Sequence, residues 1–429
     1  MHEAVQARVP GQSAVIPHAW LMLVMLSIVN LFNFMDRVLF SVMLEPIKAE
    51  LMLTDSQMGL IGGVAFGLFF GLASLAMGRL ADTRNRIRLT SSVLAFWSAA
   101  SAVCGMVGGF AQMFAARAAV GIGVAGCAPT AHSLIGDYFP PERRSLALSV
   151  FTAIGTTGTM VGLIIGGVAL DRLGWRSAFI IFGIAGLLFA PVAWLALKEP
   201  ERGSFEKSTV SAASLRQSVG MLLRRATVRR LLLGMPMVMA TAGIATWIPA
   251  FLQRAHDATP GDVATYGGLS LGLGVVGGTL AGGVIVNALR ERNRLWEFWW
   301  PALATAVSVP LLALFYLTTN PGLGYMLLFL GFFAAGSSYA PALASMLVVS
   351  EPKLRGTMVA LNVLMSSIIS YGLTPAAIGF ASDMLIAHGF GEETGESLRY
   401  AMLGALVLPA LGVWFFLRAS RTAERDSLS

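Results

Sequence analysis

The sequence is short of charge. Only 12% of its 429 residues are Asp, Glu, Lys or Arg, while 56% are hydrophobic. A soluble domain carries about 25% charged residues, so this chain lacks the polar surface that a water-soluble fold needs. It has two cysteines, Cys104 and Cys127. Both lie inside apolar runs, which excludes a disulfide framework and a cysteine metal cluster. No His-Glu-x-x-His, Gly-x-Ser-x-Gly or phosphate-loop pattern occurs, so the sequence implies no enzyme, no cofactor and no metal. None of the seven asparagines opens an Asn-x-Ser/Thr sequon.

What the chain does have is length of apolar sequence. Runs fall at roughly 19–44, 58–78, 89–110, 113–136, 146–170, 176–197, 231–252, 265–289, 298–318, 324–349, 357–382 and 399–418. Each is near the 20 or so residues that a helix needs to cross about 30 Å of hydrocarbon. The expected fold is an all-α membrane protein of twelve transmembrane helices. The first run is too long for a signal h-region and ends in Met35-Asp36-Arg37, so it is read as a retained helix.

Twelve crossings put both termini on one side. If that side is the cytoplasm, the tails and inner loops hold 23 of the 30 lysines and arginines and the outer loops hold 5. This is the positive-inside asymmetry, and it accounts for the net charge of +7 without a nucleic-acid partner. The short outer loops and missing sequons point to a bacterial plasma membrane with both termini cytoplasmic.

The chain divides into a tail (1–18), a six-helix bundle (19–197), a linker (198–230), a second six-helix bundle (231–418) and a tail (419–429). In the linker, Leu215, Val219, Leu222 and Leu223 recur at helical spacing beside Arg216, Arg224 and Arg225, the pattern of an amphipathic helix on the inner leaflet. The halves echo each other. Gly78-Arg-Leu-Ala-Asp82 corresponds to Gly283-Val-Ile-Val-Asn287, Arg144 to Arg355, and Asp171 to Asp383. Transporters built from such repeats rock the two halves around a midplane site.

The motifs are specific. Gly78-Arg-Leu-Ala-Asp82-Thr-Arg-Asn-Arg86 resembles the signature loop of the major facilitator superfamily, Arg117-x-x-x-Gly121-x-Gly123 resembles its fourth-helix motif, and Gly174-Trp-Arg-Ser-Ala-Phe179 matches the usual entry to its sixth helix. Asn33-Phe-Met-Asp36-Arg37, Gly121 to Pro140, Trp247-Ile-Pro249 and Gly277 to Gly283 are similar to the spinster branch. The resemblance implies transport of lysophospholipids or sphingoid lipids. Two positions depart from the branch: Val124 stands where a coupling Glu is usual, and Asn287 where Asp is common.

An ionisable group in the bilayer is a functional candidate by default. Asp36 and Arg37 on the first helix and Arg117 on the fourth form the expected charge pair and coupling group. Asn33, His132, Met239, Trp247, Tyr339, Asn362, Ser366 and Tyr371 are the candidate cavity residues. Gly78, Asp82, Arg86, Arg143 and Arg144 are the candidate inner gate, with Asp82 set against Arg143 or Arg144. Between their ends, the apolar runs of the second half hold no lysine, arginine or acid, and their methionines and aromatics suit an acyl chain better than a sugar. The expected substrate is therefore small, amphipathic, anionic and lipid-like, with protons as the coupling ion and membrane lipids as surroundings. The protein is expected to work as a monomer. The same-fold alternatives are an organic-anion or hydrophobic-drug carrier, or an uncoupled facilitator.

Overall fold

In hydrocarbon a backbone amide can find its partner only within a helix or a closed barrel, so the long apolar runs become helices. A computed structural model describes residues 18–202 and 215–427, and it contains no strand among them. Four spans come first: α1 (Ala19–Val42), α2 (Asp55–Thr83), α3 (Arg86–Cys104) and α4 (Phe110–Tyr138). The next helical stretch, Pro141–Ala196, has 56 residues and breaks at Gly174, with φ 74° and ψ 164°. Unbroken, 56 residues would run about 84 Å, far beyond a bilayer. Gly174 lies where a side chain would be strained, and the chain turns back there. Tyr138 donates its hydroxyl proton to the Lys198 carbonyl, and Arg86 pairs with Glu199, so the stretch ends at the face where it began. It is therefore two crossings, α5 (141–173) and α6 (175–196).

The second half holds α7 (Ala226–Ala245, continued by Ile248–His256), α8 (Pro260–Arg290), α9 (Trp296–Leu317), α10 (Pro321–Val349), α11 (Arg355–Ala387) and α12 (Glu396–Ala423). Twelve crossings bring both described ends to one face, here the terminal face; the opposite one is the distal face. Helix α7 starts ahead of the apolar run that announces it. The last helix continues to Ser427 through the stretch expected to be a tail.

The linker forms a helix at Leu215–Arg224. Leu222 is buried there with Val228, Leu231 and Leu354 beneath the second half. The remainder of the linker (203–214) and of the amino-terminal tail (1–17), like residues 428–429, lies outside the described residues.

Inside the first half, small residues let α5 approach α1 closely. A methyl added at Gly158 would come within 2.6 Å of the Leu31 carbonyl, so the backbones touch with no side chain between them. The duplication is visible at the distal ends of α2 and α8. Each starts with a threonine capping box, Thr54 with Gln57 and Thr259 with Asp262, which satisfies the orphan amides of the first turn. Each then passes into a π-helical turn, Leu60–Ala65 in α2 and Val263–Gly267 in α8. A third π-turn, Ser367–Leu373, interrupts α11.

Candidate transport site

A cavity of about 300 Å³ lies between the halves. The first half contributes Arg37, Phe66 and Arg117 to its wall, and the second contributes Met239, Tyr339 and Tyr371. Its surface is mainly apolar, with a few polar groups, as small-molecule sites usually are.

The two arginines are held differently. Arg117 is buried, with its guanidinium over the rings of Phe40 and Phe66 at 4.9 and 5.3 Å. Its Nη1 lies 3.5 Å from Asp36 Oδ2. Neither that oxygen nor Arg117 Nε and Nη1 has a hydrogen-bond partner among the described residues. Asp36 instead accepts a 2.5 Å hydrogen bond from Ser101 through its other oxygen. The charge pair is thus close but loosely joined.

Arg37 donates through Nε to Asn33 Oδ1 at 3.1 Å. Its guanidinium lies 4.9 Å from the Phe70 ring centre, 5.4 Å from Phe34 and Phe66, and 5.6 Å from Tyr371. Among the described residues no carboxylate comes within ion-pair distance of Arg37; its neighbour Asp36 faces Arg117 instead. The aromatic box offsets part of the burial of this cation, at about 0.5–2 kcal/mol per ring contact. It leaves the charge available to an anion in the cavity.

Several expected cavity residues sit elsewhere. Asn33 lies behind the wall and orients Arg37. Trp247 is fully buried and donates its indole N–H to the Pro375 carbonyl at 3.0 Å. It pins α7 to α11, because a buried indole needs an acceptor. Asn362 and Ser366 are buried one turn apart on α11, 3.4 Å from each other; each supplies the other's polar partner and neither reaches the cavity. His132 is exposed on α4 and stands edge-on to Phe151 at 5.7 Å, away from the cavity wall.

The sequence reading missed six threonines in the wall: Thr152, Thr156, Thr159, Thr241, Thr246 and Thr279. The three on α5 recur at helical spacing, a signal present in the sequence. Thr152 and Thr156 each spend their proton on the carbonyl four residues back, at 2.8 Å, and so offer the cavity an acceptor oxygen and a methyl.

The distal face is closed by a charged latch. Arg254 on α7 donates to both oxygens of Asp55 at 2.8 Å and to Glu45 at 2.6 Å. Lys48 lies 2.6 Å from Asp55 and also pairs with Glu392. Asp383 at the end of α11 accepts the backbone N–H groups of Asp55 and Ser56 at 3.1 and 2.8 Å, at the start of α2. A carboxylate at a helix N-terminus satisfies orphan amides and meets the positive end of the helix dipole. Every one of these contacts joins the first half to the second, except that of Lys48 with Asp55. On the rim, Trp175 and Arg176 donate to Glu50 at 2.6 and 2.8 Å, and the arginine holds the Glu50 carboxyl below its usual range.

The terminal face is parted. Asp82 is exposed, and among the described residues its carboxylate makes no ion pair with Arg143 or Arg144. Arg143 is exposed, and Arg144 donates to the Gly136 carbonyl at 2.8 Å. A methyl added at Gly78, or at its counterpart Gly283, would meet nothing within 4 Å. With the distal latch shut, the terminal ends stand apart, and the loop of Asp82 is held instead by Arg202, which donates to the Ala81, Asp82 and Arg84 carbonyls. Arg86 is not a gate residue in this arrangement. It is buried between Asp137 and Glu199, with its Nε 2.7 Å from Glu199, and it braces the first half internally.

Two six-helix halves, latched at one face, parted at the other and enclosing a cavity at their interface, define a membrane transporter of the alternating-access kind. Comparison with known proteins agrees. The model of the Major Facilitator Superfamily matches residues 26–375. An MFS-type efflux pump of Mycolicibacterium smegmatis is 29% identical over 413 residues, covering 95% of this chain and 94% of that protein. Protein spinster homolog 1 of Homo sapiens is 28% identical over 442 residues, covering 97% and 82%. The crystal structure of a bacterial homolog to the human lysosomal transporter Spinster, inward-facing and unoccupied, superposes with a TM-score of 0.86 at 24% identity, covering 96% and 99%. The chain belongs to the major facilitator superfamily, as a transporter and not an enzyme.

Proposed function

We propose that the protein carries an amphipathic anionic lipid-like substrate, a lysophospholipid or a sphingoid lipid, across a bacterial plasma membrane, and that it couples this to protons through Asp36. The observation that carries the reading is Arg37. It is a cation in the wall of a mainly apolar cavity, boxed by four rings and, among the described residues, without a carboxylate within ion-pair distance. An anionic head group would complete it, and Leu252, Leu271, Val275 and Phe332 would take the chain. The 23-to-5 bias of basic residues supports a cytoplasmic terminal face.

Coupling requires a group whose proton occupancy differs between the two orientations. Asp36 is a buried carboxylate whose only cation within 4 Å among the described residues stands at 3.5 Å. An anionic head group drawing Arg117 away would favour the protonated form. With Val124 at the position where the branch usually has Glu, Asp36 is left to do this alone.

Native mass spectrometry of the purified protein tests the substrate class. Retention of a lysolipid or sphingoid species, lost in Arg37→Ala, is the expected result; its absence from the wild type would sink the reading. A second reading, export of hydrophobic drugs, is favoured by the name of the mycobacterial relative, an efflux pump. Competition by drugs but not by lysolipids would select it.

A further inference from the structure

We propose that His256 is a proton-operated release for the distal latch: protonation from the distal side unseats the last turn of α7 and so frees Arg254. This goes beyond the lipid reading and does not depend on it. His256 ends the Ile248–His256 segment that continues α7. Arg254 stands two residues earlier, about 200° away around the helix at about 3.6 residues per turn. The two side chains therefore leave one turn in nearly opposite directions. Arg254 reaches the first half, to Glu45 and Asp55. His256 turns into the second half, where its ring lies nearly parallel to Phe315 of α9 at 6.4 Å and edge-on to Phe251 at 5.6 Å.

These rings give the imidazole nothing to bond. Both of its nitrogens are shut off from solvent and have no hydrogen-bond partner among the described residues. The Tyr316 hydroxyl and Arg399 Nε are enclosed in the same way. Tyr316 is fully buried and meets Phe251 edge-on at 5.3 Å; Arg399 belongs to the start of α12. So α7, α9 and α12 each bring an unpartnered polar group to the distal end of the second half. Such a group costs about 1–3 kcal/mol when it is buried, and the latch has to offset that cost to keep the face closed.

A charge on the ring adds to it. An imidazolium has two N–H donors and needs acceptors or water. The charged groups around this end of α7 supply neither. Glu45, Lys48 and Glu392 are engaged in the latch, and Asp262 closes the capping box of α8. Helix α1 brings Asp36 and Arg37, which face Arg117 and the cavity. Helix α9 brings only Tyr316 at this end, and α12 brings Glu396, Arg399 and Tyr400. Of all these, Arg399 acts most strongly on the ring, ahead of the exposed Asp257 that follows it. The facing charge is therefore of the same sign as an imidazolium.

The closed face accordingly holds the neutral ring, and the charged ring is favoured once the turn lifts and water enters. A proton that binds the open form better than the closed one shifts the balance toward the open form. The backbone links ring and latch directly. Ala255, between the two side chains, lies against Gly395 before α12, where an added methyl would stand 2.8 Å from it. The turn is wedged on one side by α12 and held on the other by Arg254.

The test reads a distance and needs no substrate. Full-length protein in liposomes carries spin labels at Arg172 and Thr319, exposed positions in distal turns of the first and second halves. Between about pH 8 and about pH 5.5, the range over which histidine changes charge, the ratio of distally open to distally closed wild-type molecules should rise about tenfold. His256→Phe keeps a ring against Phe315 but binds no proton, so it should hold the alkaline ratio throughout. Arg399→Met removes the facing cation and lets the closed form tolerate a charged His256, which should cut the rise to about threefold or less. This second variant carries the test where His256→Phe does not fold. A wild-type ratio that ignores pH, or the full wild-type rise in either variant, would overturn the proposal.

Discussion

Removing Arg254 should open the distal face. Its side chain is 6% exposed, Asp55 beneath it is 0% exposed, and the guanidinium binds both Asp55 oxygens as well as Glu45. In Arg254→Gln, Asp55 keeps Lys48 and Ser382 as partners but loses its bidentate cation. Removing one member of a buried pair costs about 3–5 kcal/mol, because the other charge stays desolvated. In the distally open state Asp55 meets water and that penalty falls away, so most of it acts on the balance between the two states. At about 1.4 kcal/mol per decade, the ratio of distally open to distally closed molecules should rise by roughly 100-fold to 4,000-fold. The assay is modification of a cysteine placed at Thr246, in the cavity wall, by a membrane-impermeant thiol reagent added from the distal side. The native Cys104 and Cys127 are buried and should contribute little background. A large gain in labelling rate is expected. An unchanged rate in a folded Arg254→Gln protein would refute the latch.

Three further outcomes follow from the same geometry. Arg117→Ala should impair an anionic substrate at least about tenfold more than a neutral analogue with the same chain, read as the ratio of their uptake rates; equal losses would make Arg117 a packing residue. Gly63→Val should also favour the distally open state, since a side chain there would strike the Gly372 carbonyl in the facing π-turn of α11; distal labelling of the Thr246 cysteine in this variant should rise without loss of expression. Asp82→Asn should leave the terminally parted state intact, where among the described residues no arginine pairs with the Asp82 carboxylate, and destabilise the alternate state in which the superfamily loop latches. Spin-label distances across the terminal face should then show fewer closed molecules, and an unchanged distribution would reduce the loop to a topology signal.

The helices were legible because each apolar run is as long as the bilayer demands, and the charges of α1 and α4 stood out because no other carboxylate, lysine or arginine falls in those runs. The Arg37, Met239, Tyr339 and Tyr371 side chains line the cavity. Trp247 did not follow, since an aromatic within an apolar helix looks the same in sequence whether it faces a cavity or a neighbouring carbonyl. The latch was invisible for a different reason. Glu45, Lys48, Asp55, Arg254, Asp383 and Glu392 are charged residues at helix ends, where charge is ordinary, and hundreds of positions separate them. Only the docking of two halves makes them one cluster. The hint that could have been followed was the duplicated Asp171 and Asp383, read as a repeat marker when one of them is also a cap on the opposing half. The inner gate was sought at the face that this conformation leaves parted, so its loop could be recognised by motif but not seen engaged.

The central claim is that a lipid anion moves through this cavity in exchange for a change in the protonation of Asp36. The direct measurement is accumulation of a labelled anionic lysolipid in proteoliposomes, with and without an imposed pH gradient, for the wild type and Asp36→Asn. Saturable, gradient-driven accumulation by the wild type is predicted. Asp36→Asn should retain binding and downhill exchange but lose the response to pH. Wild-type uptake that never exceeds the substrate's own gradient, or an Asp36→Asn protein that still accumulates substrate against it, would contradict the claim.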